Sequence, residues 1–399
     1  MELREVDKEE FNHNAQKFTC KNFFQTSNMG SSLELRGRKV YYLGLFDNTE
    51  CVALAMLVES GTFLLKKTFE ALKGFLIDYS DTDKVKIFTE KLVEFVRDKN
   101  GFKLNIDPYI IEVERDIDGN IVLDGKNNYS VIEALKNMGY QKCKYDTQVR
   151  FNFCLDVLGK SEQEIFGDFK ATTRNLINKA ERIGVEVIDL KYDELDRFKA
   201  ITEDTCKRRG FPDKTLEYYQ SMYKAFENQV VFKLARLNVT KYQEYLNKTK
   251  DEYLEKIDKI KGSNKKKDNY LFEVSNIDKK LANIEKLPIK NGYVDLAAAM
   301  FMLYGDETIY LFSGSYDELN EFGGQYLIQW DVIKYAINKG YRRHNFFGIM
   351  NFQDKNDKDY GIYLFKRGFN GYIEELVGEY TIYTKGLVSS IYKLKSKVR

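Results

Sequence analysis

The chain has 399 residues, of which 43% are hydrophobic and 31% charged, a composition typical of a globular protein with two or three domains. Its 63 basic and 61 acidic residues leave a formal net charge of only +2, so any polyanion must bind to a local basic patch. The five scattered cysteines lack metal-ligand or redox spacing, and no apolar run reaches the roughly 20 residues that span a bilayer. Because the amino-terminal segment is charged where a signal peptide is apolar, we expect a cytoplasmic protein without a transmembrane segment.

The first region, residues 1–150, alternates between predicted strands and helices. Residues 38–58 predict a β-hairpin, because two β-rich runs flank the turn sequence Asp47-Asn48-Thr49. Residues 85–99 predict an amphipathic helix that stops at Asn100-Gly101, and residues 102–106 predict the following strand. We assign residues 1–150 to a first α/β domain.

A second α/β domain is predicted from residues 151–240 and 288–399. Strands are expected at residues 229–237, 293–304, 308–312 and 341–347, and a helix at residues 326–338. The succession of helix, glycine, aromatic residue, basic residue and strand occurs near Gly101 and again near Gly340. This repetition suggests a duplicated α/β unit.

Residues 241–287 interrupt the second domain and are rich in lysine and glutamate. Apolar residues recur there at the a and d spacing of a coiled coil; they are Tyr270, Val274, Ile277, Leu281 and Ile284, with Leu246, Tyr253, Ile257 and Ile260 in the earlier half. A polar turn at residues 262–267 separates the two halves. The pattern predicts an antiparallel coiled-coil arm, which is either solvated without a ligand or meets a polyanion through its lysines.

The usual catalytic signatures are missing from the chain. His13 and His344 are its two histidines, and there is no HExxH, paired CxxC, Walker loop or GxGxxG. We therefore expect no metal and no cofactor, and we do not expect a hydrolase, a kinase or a dehydrogenase. Acyl transfer from an activated ester to an amine remains, because it requires alignment, removal of a proton and stabilisation of an oxyanion.

Five segments in order along the chain carry a resemblance to a known family. They are residues 22–58 with a Gln-Thr pair and a Tyr-Leu-Gly strand, KLNIDPY at 103–109, RNLINKAERIGVEVI at 174–188, residues 310–315 with 322–349, and GIYLFKRGFNGYIEELVGEY at 361–380. Over essentially its whole length the chain resembles the FemA/FemB/FemX enzymes of bacterial cell-wall synthesis. The resemblance implies two tandem GCN5-related acetyltransferase-like domains, the second interrupted by the arm.

The resemblance also implies a reaction and its partners. Aminoacyl-tRNA donates an amino acid to the peptide stem or bridge of a lipid-linked or nucleotide-linked muropeptide, with peripheral membrane contact left open. Similarity to the branch that adds glycine favours glycine, with alanine or serine as alternatives. The absence of the [QR]xxGx[GA] loop, which binds coenzyme A in acetyltransferases, agrees with a donor other than acetyl-CoA.

Two residues receive catalytic roles from the resemblance. Lys366 matches a family lysine that stabilises charge on the donor carbonyl; we interpret it as a strand residue, with Arg367 on the opposite, solvated face. A plain edge-strand lysine is the alternative. Asp107 matches a carboxylate near the acceptor amine, as general base or as an anchor for the ammonium. An aspartate that caps the turn before proline is the alternative.

Three more residues match family contacts to acceptor phosphates. Lys214 and Tyr218 are four apart, which places them on one face of a helix, and Tyr310 matches a third contact. The alternatives are a surface pair and a core aromatic. A family lysine after the early Gln-Thr pair is replaced here by the sequence Ser-Ser-Leu at 31–33, so Arg36, Arg38 or Lys39 would have to supply that contact.

A local basic stripe is predicted on one helix. Arg174, Lys179 and Arg182 follow one another at spacings of five and three, with Lys170 just before them. The stripe either holds tRNA phosphates or is a solvated helix face.

Two rival functions stay open at this point. The first is an N-acyltransferase of the same fold that acts on another amine acceptor, with acyl-CoA or another donor. The second is an assembly protein in which the arm binds a partner and the domains serve as a scaffold.

Overall fold

A computed structural model describes residues 1–262 and 264–397. The strands are β1 (Glu2–Glu5), β2 (Val40–Asp47), β3 (Glu50–Phe63), β4 (Lys66–Leu72), β5 (Gly101–Asp107), β6 (Ile111–Arg115), β7 (Gln141–Lys142), β8 (Phe151–Asp156), β9 (Val185–Asp189), β10 (Val230–Asn238), β11 (Tyr293–Tyr304), β12 (Glu307–Ser315), β13 (Arg343–Ile349), β14 (Tyr372–Leu376) and β15 (Tyr380–Tyr383). The helices are α1 (Lys8–Ala15), α2 (Ser27–Leu35), α3 (Thr82–Asp98), α4 (Tyr129–Asn137), α5 (Glu162–Asp168), α6 (Ala171–Arg182), α7 (Leu195–Arg209), α8 (Leu216–Phe226), α9 (Val239–Asp258), α10 (Lys265–Asn283), α11 (Gly324–Asn338), α12 (Tyr360–Arg367) and α13 (Leu387–Lys397).

The strands of the described residues form two mixed sheets. The first has seven strands in the order β1-β2-β3-β4-β5-β15-β7, and the second has eight in the order β6-β14-β8-β13-β12-β11-β10-β9. Each sheet contains one parallel pair next to antiparallel neighbours, β4 with β5 and β12 with β13. The mixed α/β class predicted from the sequence is confirmed.

Local sequence signals explain the predicted elements of both sheets. The hairpin at 38–58 is confirmed as β2 and β3, and its turn residue Asn48 has a φ of 52°, which asparagine tolerates better than other side chains. Asp81 accepts a hydrogen bond from the backbone of Lys84 and so caps α3, whose apolar face packs into the core. The strand and helix predictions between residues 229 and 347 correspond to β10, β11, β12, α11 and β13.

Two strands cross between the halves of the chain. β6, from the first half, pairs with β14 in the second sheet. β15, near the carboxyl terminus, lies between β5 and β7 in the first sheet. Sheet membership therefore does not change at residue 150, and the domain ranges proposed from the sequence stay a prediction.

Three clusters of buried apolar residues join the two sheets to the helices that pack on them. One lies between the first sheet and helices α3 and α4, and includes Leu43, Phe88 and Leu135. A second joins both sheets through α7 and α8, because Met56 of β3 and Met300 of β11 belong to the same cluster. The third covers the other face of the second sheet with α6 and α11.

Helices α9 and α10 form a pair that stands on this third cluster. Leu246 and Ile257 of α9 and Ile277 of α10 are buried, at positions that the heptad pattern predicts. Ion pairing of Lys250 with Asp278 at 2.6 Å and contact between the rings of Tyr253 and Tyr270 show that the helices run in opposite directions. No helix in the described part of the chain combines the length and the apolar character that a membrane crossing needs.

Candidate active site

A cavity of about 670 Å³ opens in the second half of the chain. Its walls come from the carboxyl-terminal part of α7, the loop between α7 and α8, β12, the irregular end of β13, and α12. Its polar lining includes three cationic and two anionic side chains, namely Arg209, Lys214, Lys366, Asp213 and Asp359. Aromatic side chains, among them Tyr310 and Phe347, form much of the remaining surface.

Lys366 lies on a helix, which corrects the prediction of a strand. α12 covers residues Tyr360–Arg367, and its buried residues Tyr363 and Lys366 are three apart, the spacing of one helical face. The aromatic run before Lys366 has high strand propensity, but packing of Phe365 against Tyr326 and Phe369 stabilises the helix instead. Arg367 is not simply solvated, since it pairs with Asp118.

The Lys366 ammonium is almost completely buried at the wall of the cavity. The residue is 4% exposed, and its Nζ donates hydrogen bonds to the carbonyl oxygens of Phe347 (3.3 Å) and Gly348 (2.5 Å). It also lies 5.9 Å from the centre of the Tyr310 ring. Burial lowers the pKa of Lys366 to about 7, because a charged amine loses hydration in this environment. Near neutral pH the residue can therefore exist in both protonation states.

Tyr310 and His344 lie on the adjacent strands β12 and β13, with Thr308 as the partner of His344 in the register. Tyr310 lines the cavity as predicted, donates a hydrogen bond to Ser313 at 2.6 Å, and stacks on Phe301. His344 is buried between Thr308 and Gln329, with ring nitrogens 2.8 and 3.0 Å from their side-chain oxygens. Burial, with a smaller effect of Lys366, lowers the pKa of His344 to about 3, so the imidazole is neutral.

Asp213 organises the loop between α7 and α8. Its carboxylate accepts hydrogen bonds from Tyr219 (2.7 Å), Thr202 (2.8 Å) and Lys199 (3.1 Å). Burial acts to raise the pKa of Asp213, but these hydrogen bonds outweigh it and hold the pKa below its usual range. The loop that carries Lys214 is thereby fixed against α7 and α8.

Lys214 and Tyr218 are close together, but not for the predicted reason. α8 begins at Leu216 with Thr215 as its N-cap, so Lys214 precedes the helix and does not share a helical face with Tyr218. The Lys214 ammonium nevertheless lies 5.6 Å from the centre of the Tyr218 ring. The guanidinium of Arg36 lies 4.5 Å from the centre of the same ring, so Arg36 is the candidate among the three proposed substitutes that reaches this place.

The structure does not bring Asp107 to the cavity wall. Its carboxylate is buried and pairs with the Lys73 ammonium at 2.6 Å, and Lys73 also donates to the carbonyl oxygen of Val149 at 3.1 Å. Burial raises the pKa of Asp107, although Lys73 acts to lower it. Val149 lines the cavity, whereas Asp107 is not among the lining residues. Its predicted role as general base stays a prediction that this geometry does not support.

The predicted basic stripe lies on α6, away from the cavity lining. Two of its members bind backbone carbonyl groups of the protein itself: Arg174 those of Gly167 and Phe169, and Lys179 that of Glu321. Arg182 is exposed, with its guanidinium 5.9 Å from the Tyr245 ring. Contact with RNA phosphates at Arg174 or Lys179 would compete with these internal hydrogen bonds.

Arg209 and Asp359 are site residues that the sequence does not reveal. They lie 150 positions apart in the chain, yet their charged groups approach to 3.7 Å at the cavity. Neither belongs to a motif, so only the tertiary fold identifies them. For Asp213 a signal exists, because an aspartate directly after Pro212 and before a capping threonine is typical of an ordered loop.

Comparison with known proteins gives consistent likenesses. A model of the FemAB family matches residues 6–397. Aminoacyltransferase FemA from Staphylococcus aureus (strain bovine RF122 / ET3-1) is 26% identical over 381 residues, which cover 91% of this chain and 90% of that protein. FemA of strain MW2 shows the same identity and coverage.

Solved structures agree in fold. The crystal structure of FemX matches with a TM-score of 0.76 and 20% identity over 99% of both chains. A tandem GNAT protein from the clavulanic acid biosynthesis pathway matches with a TM-score of 0.52 and 8% identity, over 97% of this chain and 99% of that one. These likenesses support an architecture similar to tandem acetyltransferase-type proteins.

Proposed function

Because the chain belongs to the FemAB family, we propose that it is an aminoacyltransferase acting on peptidoglycan precursors. In this proposal aminoacyl-tRNA is the donor, the amine of a peptide stem or bridge is the acceptor, and glycine is favoured over alanine or serine. The observation that carries the proposal is the buried Lys366 ammonium at the wall of a cavity lined with further cations.

The reaction that we propose needs little beyond positioning and charge stabilisation. The acceptor nitrogen attacks the ester carbonyl carbon, so that a C–N bond forms and the C–O bond to the tRNA ribose breaks. The proton lost by the amine balances the proton gained by the ribose hydroxyl. The Lys366 ammonium would stabilise the oxyanion between these steps, and its burial strengthens that interaction.

The entrance to the cavity suits an anionic acceptor. Lys214, Arg209 and Tyr310 line the cavity. The Lys214 ammonium and the Arg36 guanidinium both lie near the Tyr218 ring, which is not itself among the lining residues. We propose that this group binds the phosphates of a lipid-linked or nucleotide-linked muropeptide. The enzyme would then work in the cytoplasm, with peripheral membrane contact when the acceptor carries a lipid.

The remaining predictions take a narrower form. We propose that residues 1–150 form a first domain and that residues 151–240 and 288–399 together form a second. Residues 241–287 are then a coiled-coil arm inserted into the second domain. On α6 we propose Arg182 as the first tRNA contact to test, since Arg174 and Lys179 are occupied by internal hydrogen bonds.

The test is reconstitution with purified components. Full-length protein is incubated with a lipid-linked muropeptide and tRNA charged in turn with labelled glycine, alanine or serine, and the product is analysed by mass spectrometry. We expect one added residue, greatest with glycine. Uncharged tRNA plus free amino acid, and a set of acyl-CoAs, are the controls.

Lys366→Met is the matched variant, since it removes the charge and keeps the length of the side chain. We expect a loss of about 10²–10³-fold in kcat, the range typical for removal of an oxyanion-stabilising group. Absence of transfer from every charged tRNA, or efficient transfer from an acyl-CoA, would refute the proposed donor. Full activity of Lys366→Met would refute the role of the lysine.

A further inference from the structure

The strand that carries His344 contains an irregularity directly beside Lys366. β13 pairs with β8, and the register between them shifts between Asn345 and Gly348. Inside this bulge Phe347 has a φ of 59°, in the left-handed region that residues with a Cβ rarely adopt. The carbonyl oxygens that Lys366 binds belong to Phe347 and Gly348. Both hydrogen bonds of the ammonium therefore depend on the conformation of the bulge.

The side chain of Asn345 contacts the backbone of this bulge from within the same strand. It is 1% exposed, and its Oδ1 accepts a hydrogen bond of 2.8 Å from the backbone N–H of Phe347. Its Nδ2 donates to Glu307 and to the hydroxyl of Tyr109, at 3.2 Å in each case. Since one end of the amide faces a donor and the other end faces acceptors, the orientation of the side chain is determined.

We propose that Asn345 is a positioning residue that holds Phe347 in its left-handed conformation and thereby aims the two carbonyl groups that orient the Lys366 ammonium. An ammonium has three N–H groups, and within the described part of the chain two acceptors bind Lys366. Because two of the N–H groups bind these carbonyl oxygens, the direction of the third N–H is fixed, and this N–H remains available to a ligand in the cavity. The effect on catalysis rests on the proposed function, whereas the effect on Lys366 itself does not.

The support of Asn345 comes from both halves of the chain. Tyr109 lies in the segment between β5 and β6, and its hydroxyl donates to Glu307 at 2.8 Å. The same hydroxyl accepts from Arg343 at 2.9 Å, and Arg343 also pairs with Glu307 at 2.8 Å. Asn345 thus connects a buried network of charged groups to the bulge, and this network supplies the buried amide with hydrogen-bond partners.

Measurement of the Lys366 pKa is the direct test. Nζ and Cε resonances of lysine report protonation by NMR, and Lys366→Met assigns the signal in the full-length protein. In Asn345→Ala we expect the Lys366 pKa to fall by about one unit, because carbonyl acceptors favour the charged form and a misplaced bulge removes them. Other titratable or charged groups near Lys366 are the same in both proteins; they are Cys154, Arg209, Asp213, Lys214, Tyr310, His344 and Asp359.

Two double variants separate the backbone effect from general damage. Asn345→Ala/Phe347→Gly and Asn345→Ala/Phe347→Ala both lose the ring and differ by one Cβ. Glycine adopts a positive φ without strain, so the glycine variant is expected to recover the Lys366 pKa and the alanine variant is not. Thr89→Val is the control. It removes the buried hydrogen bond between the side chains of Thr89, on α3, and Tyr140, and it should leave the Lys366 pKa unchanged.

Two results would overturn the positioning role of Asn345. An unchanged Lys366 pKa in folded Asn345→Ala overturns it, and so do equal pKa values in the two double variants. If Asn345→Ala does not fold, Asn345→Ser in combination with the same two changes at position 347 provides the same comparison. If the Lys366 pKa changes as expected but the protein shows no aminoacyl transfer, the proposed function is refuted and the positioning role of Asn345 is retained. If the protein does catalyse transfer, kcat should fall about tenfold in Asn345→Ala.

Discussion

Lys366 illustrates how a single residue at this site affects the stability of the whole chain. The ordinary pKa of a lysine is 10.5, and burial lowers the pKa of Lys366 to about 7 in the folded protein. Between these values the unfolded chain binds a proton that the folded chain does not bind. The free energy of unfolding therefore rises with pH from about 7 to 10.5, and the full cost of burying the charge is present below pH 7.

Lys366→Met should remove this dependence. We expect the variant to be more stable than the wild type at pH 7, with an advantage that shrinks by up to about 1.4 kcal/mol per pH unit as the pH rises towards 9.5. Urea unfolding at pH 7, 8 and 9 measures the difference. Parallel pH profiles for the two proteins would contradict the buried position of the ammonium.

For single residues, the sequence predicts which side chains belong to the site better than it predicts the structure around them. Lys366, Lys214 and Tyr310 all line the cavity, and each was a candidate from the sequence. The helical setting of Lys366 was missed, because an aromatic run has strand propensity while tertiary packing decides the outcome. The ion pair of Asp107 with Lys73 joins residues 34 positions apart, and no local pattern indicates it.

The α9–α10 pair is the element whose stability follows most directly from its sequence. Ile277 is 6% exposed at a predicted seam position, and Leu271, on the same helix, is 48% exposed. We expect Ile277→Ala to cost about 2–4 kcal/mol, since it leaves a cavity in a packed interface. Leu271→Ala should cost less than about 0.5 kcal/mol.

Denaturant unfolding of both alanine variants provides the comparison. Equal costs would show that the two helices do not pack through the heptad positions. The burial of Leu246, Ile257 and Ile277 agrees with the heptad pattern, while the coiled-coil arm itself stays a prediction. The β-bulge at Asn345 could not be foreseen in the same way, since it depends on the register between β13 and β8, which are far apart in the chain.

At the scale of the whole molecule, the exchange of β6 and β15 ties the two halves together. β15 lies between β5 and β7, so a chain cut at residue 150 would lack an interior strand of its first sheet. We expect a fragment of residues 1–150 to remain largely unfolded alone, and to gain structure when mixed with residues 151–399. Circular dichroism and co-purification test this expectation.

A cooperative, stable fold of the 1–150 fragment by itself would contradict the importance of the exchange. The sequence indicated two similar α/β halves, because each half has its own helix, strand and turn signals. It did not indicate the exchange, since short strands such as β6 and β15 have no pattern that specifies a distant partner. The boundaries between domains are therefore the part of the architecture that local signals describe least well.

The position of β15 also has a consequence for biosynthesis. Translation proceeds from the amino terminus, so the ribosome has already made β1 to β14 when the strand at Tyr380–Tyr383 emerges. Until then β5 and β7 lack the strand that pairs with both of them, and their backbone donors and acceptors on that side have no partner. Because more than two hundred residues separate β7 from β15, the first sheet cannot be completed until late in synthesis, and we expect a chaperone that shields strand edges to raise the yield of native protein.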